Sequence, residues 1–245
     1  MKLILASNSP RRKELLAGLG IPYDVFVLQD IDESYPDTLP ANEVAEYIAR
    51  KKAEAYKGLR VQEVQKVQEV QKVQEVLALR GCSGERSSEQ EVQEAEANSS
   101  LFTLHSSLNN SSLFTLHSSL ILTADTIVVC DGEILGKPRD AGDACAMLRK
   151  LSGKTHQVYT GYCLLKGDKT VSGTVCSDVT FKELSDEEIT HYVSKYKPFD
   201  KAGAYGIQEW IGYIGITGIR GSYYNVMGLP VQRIYEELRK LMHNA

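Results

Sequence analysis

Residues 3–16 read Leu-Ile-Leu-Ala-Ser-Asn-Ser-Pro-Arg-Arg-Lys-Glu-Leu-Leu, and this stretch predicts a strand, a polar turn and the start of a helix. The apolar run over 3–6 is typical of a short buried strand. The polar residues over 7–9 suit a helix N-cap, and Pro10 suits the first helical position, where no backbone N–H is needed. A strand, a turn and a helix N-terminus in this order form a favourable anion-binding site.

Two arginines, Arg11 and Arg12, lie in the first turn of this predicted helix. The helix dipole disfavours cations at that end unless an anion is bound there. Their position therefore indicates a negatively charged ligand. From this stretch alone, two solvated arginines on a surface helix are an equally good interpretation.

The composition is that of an ordinary globular chain. Its length of 245 residues fits one large domain or two small ones, and 42% hydrophobic and 24% charged residues are ordinary for a globular protein. A net charge of −4 argues against non-specific nucleic-acid binding, which needs a basic surface. Five cysteines without a C-x-x-C pair favour reduced thiols, and the sequence shows neither a signal-peptide pattern nor a membrane-spanning apolar run. We therefore expect a cytoplasmic protein that binds neither nucleic acid nor a membrane.

The composition changes abruptly near residue 61. Valine recurs at every third position over 61–76, an acidic run follows over 85–96, and Ser-Ser-Leu-Phe-Thr-Leu-His-Ser-Ser-Leu occurs at both 99–108 and 111–120. A three-residue period drifts around a helix and builds no lasting apolar face. We interpret 61–120 as a low-complexity insertion, disordered or weakly helical, in a single domain that spans 1–245. The alternative interpretation is a partner-binding arm.

Outside this segment, predicted helices and strands alternate. Helices are predicted over 42–57, 141–151 and 185–196, with a final helix starting at Pro230. Strands are predicted over 121–130 and 177–181, and the stretch 153–161 is predicted to be a turn that leads into a strand. An acid within the apolar strand over 121–130, Asp125, is expensive to bury without a partner. It is therefore either a carboxylate bonded to backbone at a strand end, or a metal ligand or general base at the carboxyl edge of a sheet.

Eight short motifs follow one another in a fixed order and together resemble the Maf family. They are Ser-Asn-Ser-Pro-Arg-Arg (7–12), Asp-Glu (32–33), Lys-Ala (52–53), Ala-Asp-Thr-Ile-Val-Val (124–129), Gly-Lys-Pro (136–138), Thr-His-Gln-Val-Tyr-Thr-Gly (155–161), Asp-Lys-Ala-Gly-Ala-Tyr-Gly-Ile-Gln (200–208) and Gly-Ser-Tyr-Tyr-Asn-Val-Met-Gly-Leu-Pro (221–230). The resemblance covers 1–58 and 121–243. It implies the α/β fold shared with the inosine-triphosphate pyrophosphatases, in which helices flank a mixed sheet with a central cleft.

The resemblance also implies a reaction and a cofactor. Maf-like proteins cleave nucleoside triphosphates to the monophosphate and pyrophosphate with a divalent metal ion, Mg²⁺ or Mn²⁺. By this resemblance Asp125 is the catalytic proton acceptor, and Glu33 and Asp125 are oxygen ligands for the metal. The residues expected to hold phosphate oxygens are Ser7, Arg12, Lys52 and Lys137.

Within the family, the sequence looks like the branch that acts on dTTP and UTP. Arg11, Thr126 and Gln208 occupy the positions associated with that preference, and Thr126 and Gln208 are expected to pair with the pyrimidine. Two other functions remain open: a catalytically silent nucleotide-binding regulator of cell division, and a purine pyrophosphatase acting on ITP or XTP. The family often forms homodimers, so a homodimer is a further expectation. We interpret His156 as structural and Trp210 as a core or interface residue.

Overall fold

Seven strands form one mixed sheet in the computed structural model, which describes residues 2–57 and 119–243. The strands are β1 (Leu3–Leu5), β2 (Tyr23–Val25), β3 (Leu120–Cys130), β4 (Glu133–Leu135), β5 (Thr155–Lys166), β6 (Lys169–Phe181) and β7 (Ile216–Arg220). Their order is β2-β1-β3-β5-β6-β7, with β4 on β3. β1 is parallel to β2 and β3, and the other pairs are antiparallel. The predicted α/β class with a mixed sheet is confirmed.

Seven helices accompany the sheet in the described ranges. They are α1 (Pro10–Ala17), α2 (41–57), α3 (Ala141–Leu151), α4 (Asp186–Tyr196), α5 (Trp210–Gly215), α6 (Tyr223–Met227) and α7 (Val231–His243). The capping box predicted for α4 is present between Ser185 and Glu188. None of the helices over 2–57 and 119–243 has the length and apolar character needed to cross a membrane.

The helices cover both faces of the sheet. Along β3, the alternate residues Leu120, Leu122 and Ala124 belong to the larger core, which includes α1, α3, α4 and α7. Ile121 and Ile127 face the other way, against the apolar stripe of α2. This period of two is the strand alternation expected when both faces are buried. As a result Asp125 lies on the α2 face and the residue after it lies on the α1 face.

Several predicted boundaries need correction. β3 begins at Leu120, one residue before the predicted start at 121, because Leu120 pairs in parallel register with Leu3. β5 and β6 extend well beyond the predicted strands, since they form a long hairpin around 167–168. The stretch 221–230, for which no helix was predicted before Pro230, contains α6, which Ser222 caps and Gly228 ends in a left-handed conformation (φ 117°). The remainder of the proposed insertion, 61–118, lies outside the described residues.

Candidate active site

A cavity of about 510 Å³ opens where β1 ends and α1 begins. β1 stops at Leu5, opposite Leu122, whereas β3 continues to Cys130. Asp125 therefore lies inside β3 but beyond the carboxyl end of its parallel neighbour, a place where α/β sheets commonly bind ligands. All nine residues singled out from the sequence line this cavity: Ser7, Arg11, Arg12, Glu33, Lys52, Asp125, Thr126, Lys137 and Gln208.

The two predicted metal ligands converge on one ammonium group. Lys52 Nζ lies 2.8 Å from Glu33 Oε1 and 2.8 Å from Asp125 Oδ1. The side chains of Lys52 and Asp125 are 13% and 16% exposed, whereas that of Glu33 is 48% exposed. Partial burial raises the pKa of Glu33, but the hydrogen bond and charge of Lys52, with smaller effects of Lys137 and Arg12, bring the pKa below its usual value. Both carboxylates are thus held beside a cation.

A glycine brings Lys52 close to Asp125. Gly161 on β5 pairs with Asp125 in the antiparallel register. A Cβ atom at Gly161 would overlap the backbone of Ala45 and Glu46 in α2. Only glycine therefore lets α2 lie this close to the sheet, and Lys52, two turns further along the helix, reaches the carboxylate.

Arg12 is fixed from both sides of its guanidinium group. Its Nε donates to the carbonyl of Gly228 (2.9 Å), and Nη2 donates to Thr126 Oγ1 (3.1 Å). Burial lowers the pKa of Arg12, and the nearby Asp125 opposes that shift; an arginine nevertheless stays charged in a protein. Arginine has five N–H donors, so these two bonds leave donors for the oxygens of a phosphate.

The turn before α1 forms the predicted helix N-terminus at the cavity. Ser9 is the N-cap, and its side chain accepts from the backbone N–H of Arg12 (3.5 Å). Ser7, nearly buried, accepts from the backbone N–H of Ser9 (3.2 Å). Lys137, which follows β4, lines the same cavity from an exposed position. The cavity thus combines helix N–H groups with the cationic side chains of Arg12, Lys52 and Lys137.

Arg11 begins a second charged cluster, which we did not predict from the sequence. Its Nη1 lies 2.9 Å from Asp200 Oδ2, and Asp200 Oδ1 in turn lies 2.7 Å from Lys201 Nζ. The buried Lys201 also pairs with Glu209 (3.0 Å), which accepts a hydrogen bond from Tyr192. Partial burial raises the pKa of Asp200, but hydrogen bonds from Lys201 and Arg11 bring it below its usual value. The feature of the sequence that could have indicated this cluster is the adjacent acid and base, Asp200 and Lys201, in the motif at 200–208.

Gln208 presents an unsatisfied buried acceptor. Its Oε1 has no hydrogen-bond partner among the described residues. Leaving a buried carbonyl unpaired is unfavourable by about 1–3 kcal/mol, so such atoms usually have a ligand or water as partner. The hydroxyl of Thr126, in contrast, already has two hydrogen-bond partners, Arg12 and Thr160. Gln208 therefore lines the cavity and carries an amide oxygen that can still accept a hydrogen bond.

Comparison with known proteins agrees with these motifs. The family model described as Maf-like protein matches residues 2–241. The chain belongs to the Maf family. It is 49% identical to a protein of Phocaeicola vulgatus over 240 residues, which covers 98% of this chain and 96% of that protein. It is also 46% and 44% identical to proteins of Bacteroides thetaiotaomicron and Parabacteroides distasonis, over 98% and 97% of this chain and 96% and 95% of theirs. All three relatives are named dTTP/UTP pyrophosphatase.

The Maf cavity can offer two carboxylates to a metal ion. Within 2–57 and 119–243, no group of three or more His, Cys, Asp or Glu side chains is placed to hold one. Glu33 and Asp125, however, both reach the single Lys52 ammonium. Hard cations such as Mg²⁺ are commonly held by one or two carboxylates plus substrate phosphates. The donor set thus fits a metal ion that arrives with a polyphosphate.

His156 lies in the core of this Maf chain and does not line the cavity. Its Nε2 shares a hydrogen bond with Tyr205 Oη (2.7 Å), and its ring stacks on Phe181. Burial lowers the pKa of His156 to about 4, so the ring is neutral near pH 7. The structural role expected for His156 agrees with this position. Trp210 is partly buried against the core and packs edge-on against His191.

Proposed function

We propose that this protein is a nucleoside triphosphate pyrophosphatase that hydrolyses dTTP and UTP to the monophosphate and pyrophosphate. The observation that carries the proposal is the Glu33–Lys52–Asp125 arrangement in the same cavity as Arg12 and the N-terminus of α1. The names of the relatives support the same reaction and the same two substrates.

The reaction needs positive charge around a triphosphate and a proton acceptor beside the attacking water. Arg12, Lys52 and Lys137 would hold phosphate oxygens, together with Ser7 and the N–H groups of the turn. Asp125 would accept the proton as the water oxygen bonds to phosphorus. The attacked atom is the α-phosphorus, and its bond to the oxygen that bridges the α- and β-phosphates breaks. The β- and γ-phosphates leave together as pyrophosphate.

Glu33 and Asp125 would also hold a divalent metal ion, Mg²⁺ or Mn²⁺. When bound, that ion supplies further positive charge to the triphosphate and lowers the pKa of the attacking water. Lys52, which pairs with both carboxylates, would keep them oriented. The oxygen character and the convergence of the two side chains support this assignment.

Base selection is assigned to Arg11, Thr126 and Gln208. The unpartnered Oε1 of Gln208 suits the N3–H donor of uracil or thymine, and its amide NH₂ suits a neighbouring carbonyl of the base. Arg11 is held by Asp200, so its position is tied to the segment that carries Gln208. Thr126 acts beside them through its contact with Arg12.

The substrate is tested by measuring pyrophosphate release from dTTP, UTP, CTP, ITP, dATP and GTP with Mg²⁺. Fast release from dTTP and UTP, with the monophosphate as the other product, is the expected result. A preference for ITP would replace the proposal with a purine pyrophosphatase. A folded protein that releases pyrophosphate from none of them would favour the nucleotide-binding regulator.

We also propose that 61–120 interrupts a single domain. Residues on either side of it belong to one sheet, since Leu5 pairs with Leu122, and Lys52 contacts Asp125 across the interruption. Replacing 61–118 with a short glycine-serine linker is expected to leave pyrophosphate release unchanged or higher. A loss of release in a folded shortened chain would give the segment a role in the reaction.

A cytoplasmic location and a homodimer complete the proposal. Four cysteines are free thiols in the described ranges: Cys130, Cys145, Cys163 and Cys176. Free thiols are typical of a reducing compartment. Tyr213 beside Trp210 is 82% exposed, which suits an interface between two copies. Light scattering of the purified protein tests the dimer, because a monomer mass across the micromolar range would exclude it.

A further inference from the structure

Thr160 is a fully buried threonine next to the cavity wall. It lies on β5 directly opposite Thr126 of β3. Its Oγ1 donates to the carbonyl of Asn225 in α6 (2.9 Å) and lies 3.0 Å from Oγ1 of Thr126. Thr126 Oγ1 in turn lies 3.1 Å from Nη2 of Arg12. Four residues are therefore joined by three consecutive hydrogen bonds.

The direction of every bond in this chain is determined by counting hydrogens. A hydroxyl carries one hydrogen, and a carbonyl carries none. Because Thr160 gives its hydrogen to Asn225, Thr126 must donate to Thr160. Thr126 then has only lone pairs for Arg12, which suits a guanidinium N–H. The order of donation is Arg12 to Thr126 to Thr160 to Asn225.

This order has two consequences for the cavity. The hydrogen of Thr126 is not available to a bound base, so its hydroxyl can offer a ligand only an acceptor. The guanidinium of Arg12 is also tied to α6 twice, through this chain and through Nε on the Gly228 carbonyl that follows α6. α6 is itself anchored, since Asn225 Nδ2 donates to the carbonyl of Val158 (3.1 Å).

We propose that Thr160 is a positioning residue that acts through Thr126 to hold the Arg12 guanidinium in the plane needed to bind phosphate. Thr160 touches no ligand, because it is buried behind Thr126. The identity of the bound anion rests on the proposed function, whereas the hydrogen-bond chain does not. Removing the Thr160 hydroxyl would leave Thr126 without its acceptor and free that hydroxyl to rotate away from Arg12.

The test compares Thr160→Val with Thr160→Ser, and each with Arg12→Lys. Thr160→Val is expected to lower kcat/KM for dTTP roughly tenfold, mainly through KM, because one charge-assisted hydrogen bond loses its support. Thr160→Ser keeps the hydroxyl and is expected to stay within about twofold of the parent. In the Arg12→Lys background, Thr160→Val is expected to add less than about twofold, because the guanidinium it supports is already gone.

Thr123→Val supplies the matched control. Thr123 is also fully buried, and its hydroxyl donates to the carbonyl of Ala49 (2.6 Å) without a hydrogen-bonded connection to Arg12. Thr123→Val and Arg12→Lys are expected to act independently, so the double variant should lose kcat/KM by the product of the two single losses. A Thr160→Val effect that multiplies in the same way, or that Thr160→Ser does not rescue, would overturn the proposal.

Affinity for inorganic tripolyphosphate, measured by calorimetry, separates this inference from the proposed function. Thr160→Val is expected to weaken that affinity roughly tenfold. Thr160→Ser should restore the affinity, and in the Arg12→Lys background Thr160→Val should weaken it by less than about twofold. If no nucleotide is hydrolysed but these affinities change as stated, the proposed function fails and the role of Thr160 stands. Unchanged affinity and unchanged kcat/KM in Thr160→Val would reject that role, whatever the substrate.

Discussion

Replacing Lys52 with methionine would remove the cation that lies between the two carboxylates of the cavity. Lys52 Nζ is 2.8 Å from both Glu33 and Asp125, and its side chain is 13% exposed. In the variant, the carboxylates would face each other with an uncharged side chain between them. Partial burial, which already raises the pKa of Glu33, would then be opposed only by the more distant Lys137 and Arg12.

The distances give the size of the effect. At 2.8 Å, an ion pair is worth about 1.5 kcal/mol at the dielectric constant of water and about 6 kcal/mol at an effective value of about 20. Glu33 is 48% exposed, so its pair with Lys52 lies near the lower limit. The pair therefore contributes no more than about that lower value, and its removal in Lys52→Met is expected to raise the pKa of Glu33.

The assay is kcat/KM for dTTP between pH 4 and 8. Since ionised Glu33 belongs to the active form, activity of Lys52→Met should disappear at a higher pH than in the parent, besides falling roughly 10²-fold at pH 7. Lys51→Met is the matched control, because Lys51 is the neighbouring residue and pairs with Asp32 outside the cavity. A Lys52→Met protein whose activity falls over the same acidic range as the parent would refute the reasoning.

Three further predictions concern packing, pH and base selection. Gly161→Ala should lower the free energy of unfolding by more than about 3 kcal/mol in urea, because the new Cβ overlaps the backbone of α2. Gly218→Ala should change it little, because its Cβ would meet only the Thr180 side chain, at an ordinary contact distance of 3.9 Å. The pKa of His156 falls from 6.5 to about 4 on folding, so neutral His156 contributes about 3 kcal/mol to the free energy of unfolding. This contribution is complete above pH 6.5 and is lost as the pH drops towards 4. His156→Phe should therefore flatten the curve of stability against pH in this range, and an unchanged slope would contradict the prediction. Gln208→Leu should lower kcat/KM for UTP at least roughly tenfold, and equal loss with ITP would show that Gln208 does not select the base.

The local rules were sufficient for the elements that carry most of the site. The apolar run, the serine cap and Pro10 located β1 and α1, and the capping box located the start of α4. The apolar pattern around Asp125 located β3 within one residue of its start. These elements were predictable because their signals lie within a few consecutive residues.

The elements that were missed depend on partners far away in the chain. β2 and β4 have only three residues each, and β7 carries Gly218, so none has a sequence pattern strong enough to predict a strand. β6 was predicted too short because its first half, which includes Gly173, is mostly exposed or half-buried and pairs with β5 instead of building the core.

The same limit applies to the cavity. The motifs identified the residues that line it, but their pairings join segments far apart in the chain. Lys52 lies 73 residues from Asp125, and Arg11 lies 189 residues from Asp200. Thr160 was part of a motif without any assigned role, since its connection with Arg12 passes through a neighbouring strand. Such contacts follow from the sheet register, which the sequence pattern alone does not determine.

The most direct test of the proposed mechanism is the turnover number for pyrophosphate release from dTTP by Asp125→Asn. We expect kcat to fall by roughly 10²–10⁴, with the fold intact by circular dichroism, because the amide cannot accept the proton of the attacking water. Asp168→Asn, at an exposed acid outside the cavity, should keep the parent rate. A folded Asp125→Asn protein that releases pyrophosphate at the parent rate would contradict the central role given to this carboxylate.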